Sequence, residues 1–278
     1  MKISIEGIAK KFTTRNGSLE ALEKISLDVQ SGEFVCFVGP SGCGKTTLLN
    51  VVAGLEQPSE GRVLKNGEVV TGPGSDRVVI FQETALFPWL NVLGNIEFGL
   101  VGRMESKKRR EIARTFLNLV HLGRFERAHL HELSGGMKSR VALARALALN
   151  PSALLMDEPF AALDAQTRDL LHEELQEIWA KTRQTVLFVT HNVREAVRLG
   201  DRVLVFTARP GRIKKEFQIE LPRPRDINSA GVLSYAQQIQ KELREEIEKV
   251  LREEVDHEWT LKKADLLRPA GIDLGSGI

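Results

Sequence analysis

The sequence predicts an α/β fold: a mostly parallel sheet core, an N-terminal antiparallel β subdomain and an inserted helical subdomain. Three observations carry this. Residues 1–30 alternate apolar and polar side chains. Short continuous apolar runs recur at 34–38, 78–81, 153–156 and 185–189. Helical periodicity separates these runs and is densest between about 84 and 150. With 42% hydrophobic residues, the 278-residue chain has the material for such a core.

Taken in order, Ile3-Ser4-Ile5 and Ile25-Ser26-Leu27-Asp28-Val29 show the period of two of half-buried antiparallel strands. The run at 34–38 is wholly apolar and reads as a parallel strand buried on both faces. It enters a Gly-rich turn and then a helix from Thr46 to Ala53, which Gly54 closes. Residues 78–81 form a further buried strand, and 111–120 and 138–149 are the clearest helices of the insertion. Buried strands at 153–156 and 185–189 flank a helix over 172–180. Pro210, Gly211, Pro222 and Pro224 mark a change after the core. Ile239, Leu243, Ile247, Val250 and Leu251 recur at helical spacing over 234–255, either as an added helix packed on the core or as a dimer or regulatory contact. The Gly-rich tail 269–278 is expected to be mobile. With no internal repeat, the division is one unit over 1–225, with its helical insertion at about 84–150, and a C-terminal helical extension over 226–278.

Composition excludes some functions. A net charge of +2 is too small to argue for nucleic acid. The one dense basic run, Lys107-Lys108-Arg109-Arg110, follows Ser106, a good helix N-cap, and reads as a solvated helix face. Cys36 and Cys43 make neither a disulfide framework nor a metal-site spacing, which fits a reducing cytosol. The N-terminus has no signal-peptide core, and no stretch approaches the ~18 apolar residues of a membrane helix. The expectation is a chain soluble by itself that meets any membrane through a partner.

Gly39-Pro40-Ser41-Gly42-Cys43-Gly44-Lys45-Thr46 matches G-x-x-x-x-G-K-[ST], with a buried strand before it and a helix after it. Glycines let backbone N–H groups turn toward phosphates, and the helix presents its positive end. Lys45 would reach the β- and γ-phosphates, and Thr46 would place a hydroxyl on magnesium. Thr47, beside it, belongs to the same nucleotide-binding set. The strand ending Met156-Asp157-Glu158 supplies the carboxylates such a site needs. Asp157 would hold magnesium through water, and Glu158 would face the attacking water as base or polariser. Cys43, between Gly42 and Gly44 and beside Lys45, is expected to carry a reactive thiolate, and mid-strand Cys36 an inert thiol.

Between these motifs stands Leu133-Ser134-Gly135-Gly136-Met137, ahead of a helix. It resembles the signature motif of ATP-binding-cassette (ABC) proteins, and the order of motifs over about 3–225 agrees. The resemblance implies a P-loop NTPase of the ABC ATPase type that binds ATP and Mg2+ and hydrolyses ATP as a head-to-tail dimer. Ser134, Gly135 and Gly136 then serve the γ-phosphate held by the other copy's loop. Gln82 matches the glutamine that senses magnesium and the attacking water, Asp164 the segment that communicates across the dimer, and His191 the switch histidine near the γ-phosphate. Phe12 matches the aromatic that stacks on adenine, where tyrosine is more usual, although it could instead be a core residue of the first sheet. Met137 and Ser139 replace glutamines common in the family.

Pro73-Gly74-Ser75-Asp76-Arg77, Ala85-Leu86-Phe87-Pro88-Trp89-Leu90, Ala208-Arg209-Pro210-Gly211-Arg212 and Leu221-Pro222-Arg223-Pro224-Arg225 look like the nitrate/sulfonate/taurine importer branch. That resemblance implies a peripheral subunit on the cytoplasmic face of the cell membrane, with membrane permease subunits and, indirectly, a solute-binding protein as partners. Leu86, Phe87 and Trp89 would seat a short helix of the permease, unless they pack within the helical insertion. The alternative is a soluble ABC ATPase of a cytosolic assembly, such as cluster assembly, without a membrane partner.

Overall fold

A computed structural model describes residues 1–14 and 17–266. Strands β1 (Ile3–Thr14), β2 (Gly17–Val29) and β3 (Phe34–Val38) lead into helix α1 (Lys45–Ala53). Strands β4 (Glu60–Lys65), β5 (Glu68–Val69) and β6 (Arg77–Ile80) follow. Helices α2 (Val92–Phe98), α3 (Ser106–Leu119) and α4 (Gly135–Ala148) come next. The chain then runs through β7 (Ala153–Asp157), α5 (Ala165–Thr182), β8 (Thr185–Val189), α6 (Val193–Leu199), β9 (Arg202–Phe206) and β10 (Ile213–Gln218) into α7 (Ala230–Leu266).

Two sheets result. β2-β1-β4-β5 is antiparallel, with Ile3 opposite Val29 and Phe12 opposite Leu19. The larger sheet has the order β10-β9-β3-β8-β7-β6, parallel except for the edge strand β10. Successive side chains of a strand point to opposite faces. Phe34, Cys36 and Val38 therefore join one core with α2–α7, while Val35 and Phe37 join another with α1 and the antiparallel sheet.

Several helices begin earlier than their periodicity suggests: the first turns of α3 and α5 are largely polar, and α4 opens on two glycines. α4 starts at Gly135, and α5 at Ala165 behind Asp164, whose side chain accepts from Thr167 N. Ser106 is the first residue of α3 and not its cap; Glu105 holds that position without a side-chain bond. The basic run is a largely exposed face, and Arg109 and Arg110 both pair with Glu97. The apolar stripe of α7 divides at Glu246. Val232, Ala236, Ile239 and Leu243 pack in the first core, whereas Ile247 and Leu251 are exposed. The tail at 269–278 lies outside the described residues.

Candidate active site

β3, β8, β7 and β6 are mutually parallel neighbours, so their C-terminal ends share one edge. The loop 39–44 leaves β3 there, His191 follows β8, Asp157 and Glu158 end β7, and Gln82 follows β6. Ligands of open α/β sheets collect at this edge. Their side chains line one cavity of about 500 Å3 together with Phe12, Ser41, Gly42, Cys43, Gly44, Lys45, Thr46 and Thr47.

Gly44 caps α1 at φ +102, and a Cβ there would stand 2.7 Å from Ala21 O. Only glycine fits this turn, which opens the helix N-terminus to the cavity. Lys45 is buried, and its Nζ donates to Gly39 O (2.9 Å) and Pro40 O (2.7 Å). Gly39 and Pro40 thus do not line the cavity; they hold the lysine from behind. Asp157 is 4% exposed. Burial pushes its carboxyl up, Glu158 adds to that, and the Thr46 hydroxyl bonded to it and the Lys45 charge oppose it. His191 Nδ1 lies 2.9 Å from Glu158 Oε2.

These residues fit a nucleotide phosphate with magnesium. The donors at Thr46 and Asp157 are oxygens, which suit a hard cation. Among the described residues no cluster of three or more His, Cys, Asp or Glu could hold a metal by itself. A cation here would complete its shell with phosphate oxygens and water, as magnesium does.

Phe12 is half-buried at the cavity rim and outside both cores, with Lys10 Nζ 4.9 Å from its ring centre. Cys43 corrects the expectation of a reactive thiolate. It is 1% exposed, and burial raises its thiol although Lys45 opposes the shift. Cys36 is raised well above the usual range by burial, with Glu195 adding to it.

Ser134, Gly135, Gly136 and Asp164 do not line this cavity. Ser134 is exposed and caps α4, its Oγ accepting from Met137 N at 3.2 Å. Gly136 lies against Leu163, so the signature turn and the segment before Asp164 are neighbours. A residue without an assigned role also enters the site. Arg209 lines the cavity and donates twice to Gly42 O. Its sequence signal, Arg-Pro-Gly after a buried strand, was legible only as a branch resemblance.

A second recess of about 400 Å3 lies beside β6, lined by Phe81, Phe87, Phe98 and the C-terminal half of α4. Arg145 of α4 donates to Ala85 O (3.0 Å) and Thr84 O (3.2 Å) and covers the Phe87 ring. Trp89 is 70% exposed beside Phe87, whereas Leu86 packs against the core.

The ABC transporter family model matches residues 22–161. An uncharacterized ABC transporter ATP-binding protein of Methanocaldococcus jannaschii is 51% identical over 89% of this chain and 93% of its own. The nitrate import ATP-binding protein NrtD of Synechocystis is 48% identical, covering 80% and 84%. The aliphatic sulfonates import ATP-binding protein SsuB of Bacillus cereus is 42% identical, covering 87% and 94%. Among solved structures, a dimeric bacterial ABC transporter cassette superposes with a TM-score of 0.73 at 32% identity, over 79% of this chain and all of that one. The same cassette in a dimeric post-hydrolysis state with ADP and phosphate gives 0.72. With the motifs in order along the chain, and the phosphate loop, Gln82, Asp157, Glu158 and His191 gathered at one sheet edge, the chain belongs to the ABC transporter family, as one of its ATP-binding, ATP-hydrolysing cassettes.

Proposed function

We propose that this chain powers an importer for a small anion or organosulfur solute of the nitrate, sulfonate or taurine type. It would act as a head-to-tail pair of copies at the cytoplasmic face of a membrane. The observation that carries the catalytic part is the convergence of the Gly-rich loop, the Thr46–Asp157 pair and the Glu158–His191 pair on one cavity.

Placement supports the following roles. Backbone N–H groups of 41–46 and the α1 terminus bind the phosphates, Lys45 leaves its carbonyl partners for the β- and γ-phosphate oxygens, and Phe12 receives the adenine. Magnesium, held by Thr46 and Asp157 with Gln82 nearby, would neutralise charge on the phosphate oxygens. Glu158 takes a proton from the attacking water, and His191 holds Glu158 Oε2 in place. Ser134, Gly135 and Gly136 open α4 on an exposed turn away from this cavity. That placement supports a site completed by the signature turn of a second copy, with Asp164 beside the contact.

Among the described residues no helix is long and apolar enough to cross a membrane. The recess at Phe81, Phe87 and Phe98, with exposed Trp89 beside it, supports a seat for a short helix of a permease subunit. Leu86 drops out of that seat because it packs inward. The solute would contact the permease and a separate binding protein, so this chain does not choose it. Named relatives that are import ATP-binding proteins favour this reading over a soluble assembly ATPase.

The test is reconstitution of the chain with its membrane subunits in vesicles. ATP-driven accumulation of nitrate or a sulfonate is expected. Magnesium-dependent hydrolysis without any membrane subunit that binds the chain would favour the assembly ATPase instead.

A further inference from the structure

The turn 207–212, between β9 and β10, lies against the phosphate loop. Arg209 sends Nε (3.0 Å) and Nη2 (2.7 Å) to Gly42 O. Two residues on, Gly211 presses on the next carbonyl, since a Cβ there would stand 2.1 Å from Cys43 O. Gly211 N also donates to Ala21 O, and Glu23 N to Gly211 O, which ties the turn to β2 at the cavity rim. One carbonyl of the phosphate loop is thus gripped from outside, and the turn packs closely against the next. A trans peptide points its C=O and N–H in opposite directions, so gripping Gly42 O also orients the N–H of Cys43. The guanidinium adds a positive charge to the cavity wall.

The turn has its own anchor. Ala208 N donates to Glu246 Oε2 at 3.0 Å. Glu246 is 1% exposed and pairs with Lys249 (2.7 Å) and Lys214 (3.2 Å). It stands on α7 where the helix leaves the apolar core. A chain of direct contacts therefore runs from α7 through Glu246, Ala208 and Arg209 to the phosphate loop.

We infer that Arg209 is a positioning residue of the phosphate loop, and that Glu246 holds it there, so that the C-terminal helix helps to set nucleotide affinity. This rests on the reading of 39–46 as the phosphate cradle. The guanidinium fork suits a paired bond to one carbonyl, which an ammonium cannot reproduce.

The experiment uses the full chain, a fluorescent ATP analogue with magnesium, steady-state hydrolysis, and melting curves to verify folding. Arg209→Ala should raise the analogue's Kd and the KM for ATP about fivefold or more, with a smaller fall in kcat. Arg209→Lys should recover only part of that. Glu246→Ala should shift KM in the same direction, Glu246→Gln should restore most of the loss because its amide oxygen can still accept from Ala208, and Arg209→Ala with Glu246→Ala should add little to Arg209→Ala alone. A parental KM in folded Arg209→Ala overturns the inference, as does full additivity of the two or a drop in melting temperature without a KM shift. Lys45→Ala separates the premises. If it binds the analogue like the parent, the cradle reading itself fails; if it binds weakly while Arg209→Ala binds normally, only the role of Arg209 fails.

Discussion

The ring of His191 is hydrogen-bonded to the carboxylate of Glu158, with 2.9 Å between Nδ1 and Oε2. The two residues follow adjacent strands, and Glu158 N donates to Val189 O. Glu158 holds a left-handed backbone at φ +46, a conformation that costs a non-glycine residue about 1–3 kcal/mol. The strand end, its neighbour and the histidine together hold a glutamate where the backbone alone would not favour one.

Glu158→Gln keeps the shape but removes the proposed base. Turnover should fall by about 10²-fold or more, with ATP binding retained. The variant should also accumulate as an ATP-bound dimer, seen as doubled mass in light scattering. Hydrolysis at the parental rate would remove Glu158 from its role.

Lys45→Ala and Ser134→Arg should each be inactive alone, since one empties the cradle and the other blocks the exposed turn of α4. Mixed together they should regain part of the activity, because one composite interface pairs an intact loop with an intact turn. Proven co-assembly without any recovery would argue against a shared site.

Burial of both thiols reverses the reactivity expected from the neighbours of Cys43. In the native chain at neutral pH a maleimide should label Cys43 and Cys36 slowly, and both rapidly after unfolding in urea. Rapid native labelling of Cys43, mapped by peptide, would show that the loop opens far more than its packing suggests.

Phe87→Glu with Trp89→Glu places charge on the aromatic recess while leaving the nucleotide cavity intact. The variant should bind an ATP analogue but fail to co-purify with permease subunits. Retention on the membrane subunits would move the docking seat elsewhere.

The polar end of the α7 contact should be acid-sensitive. Burial works to raise Glu246, but bonds from Lys249, the Ala208 N–H and Lys214 hold its carboxyl below the ordinary value of 4.5. A depressed carboxylate stabilises the fold fully above its unfolded pKa and loses that contribution as pH falls through the folded one. Protection of α7 from hydrogen exchange should therefore decline below about pH 4.5, and less steeply in Glu246→Gln.

The catalytic frame was legible because its chemistry is local in sequence. An apolar strand running into Gly42, Gly44, Lys45 and Thr46, and another ending at Asp157 and Glu158, are patterns complete within a few neighbouring positions. What escaped depends on distance in the chain. Arg209 meets Gly42 across 167 positions, and no pattern around it signals that contact. α2 is only 7 residues long and contains Gly94, so its period never emerges. The chemistry of Cys43 also escapes the sequence, because charge from Lys45 can be read from neighbours, whereas burial beside Gly39 in the core that holds Phe206 cannot.

Arg145 has a mechanical consequence. By holding the carbonyls of Thr84 and Ala85 it rivets the segment after Gln82 to α4, whose other end is the turn at Ser134. Those two ends are roughly 16 Å apart along the helix axis. A stiff rod of that length does not absorb displacement; it passes it on. In the proposed pair, drawing Ser134 toward a neighbouring copy's phosphate would swing the aromatic recess, and a load applied at the recess would resist that stroke.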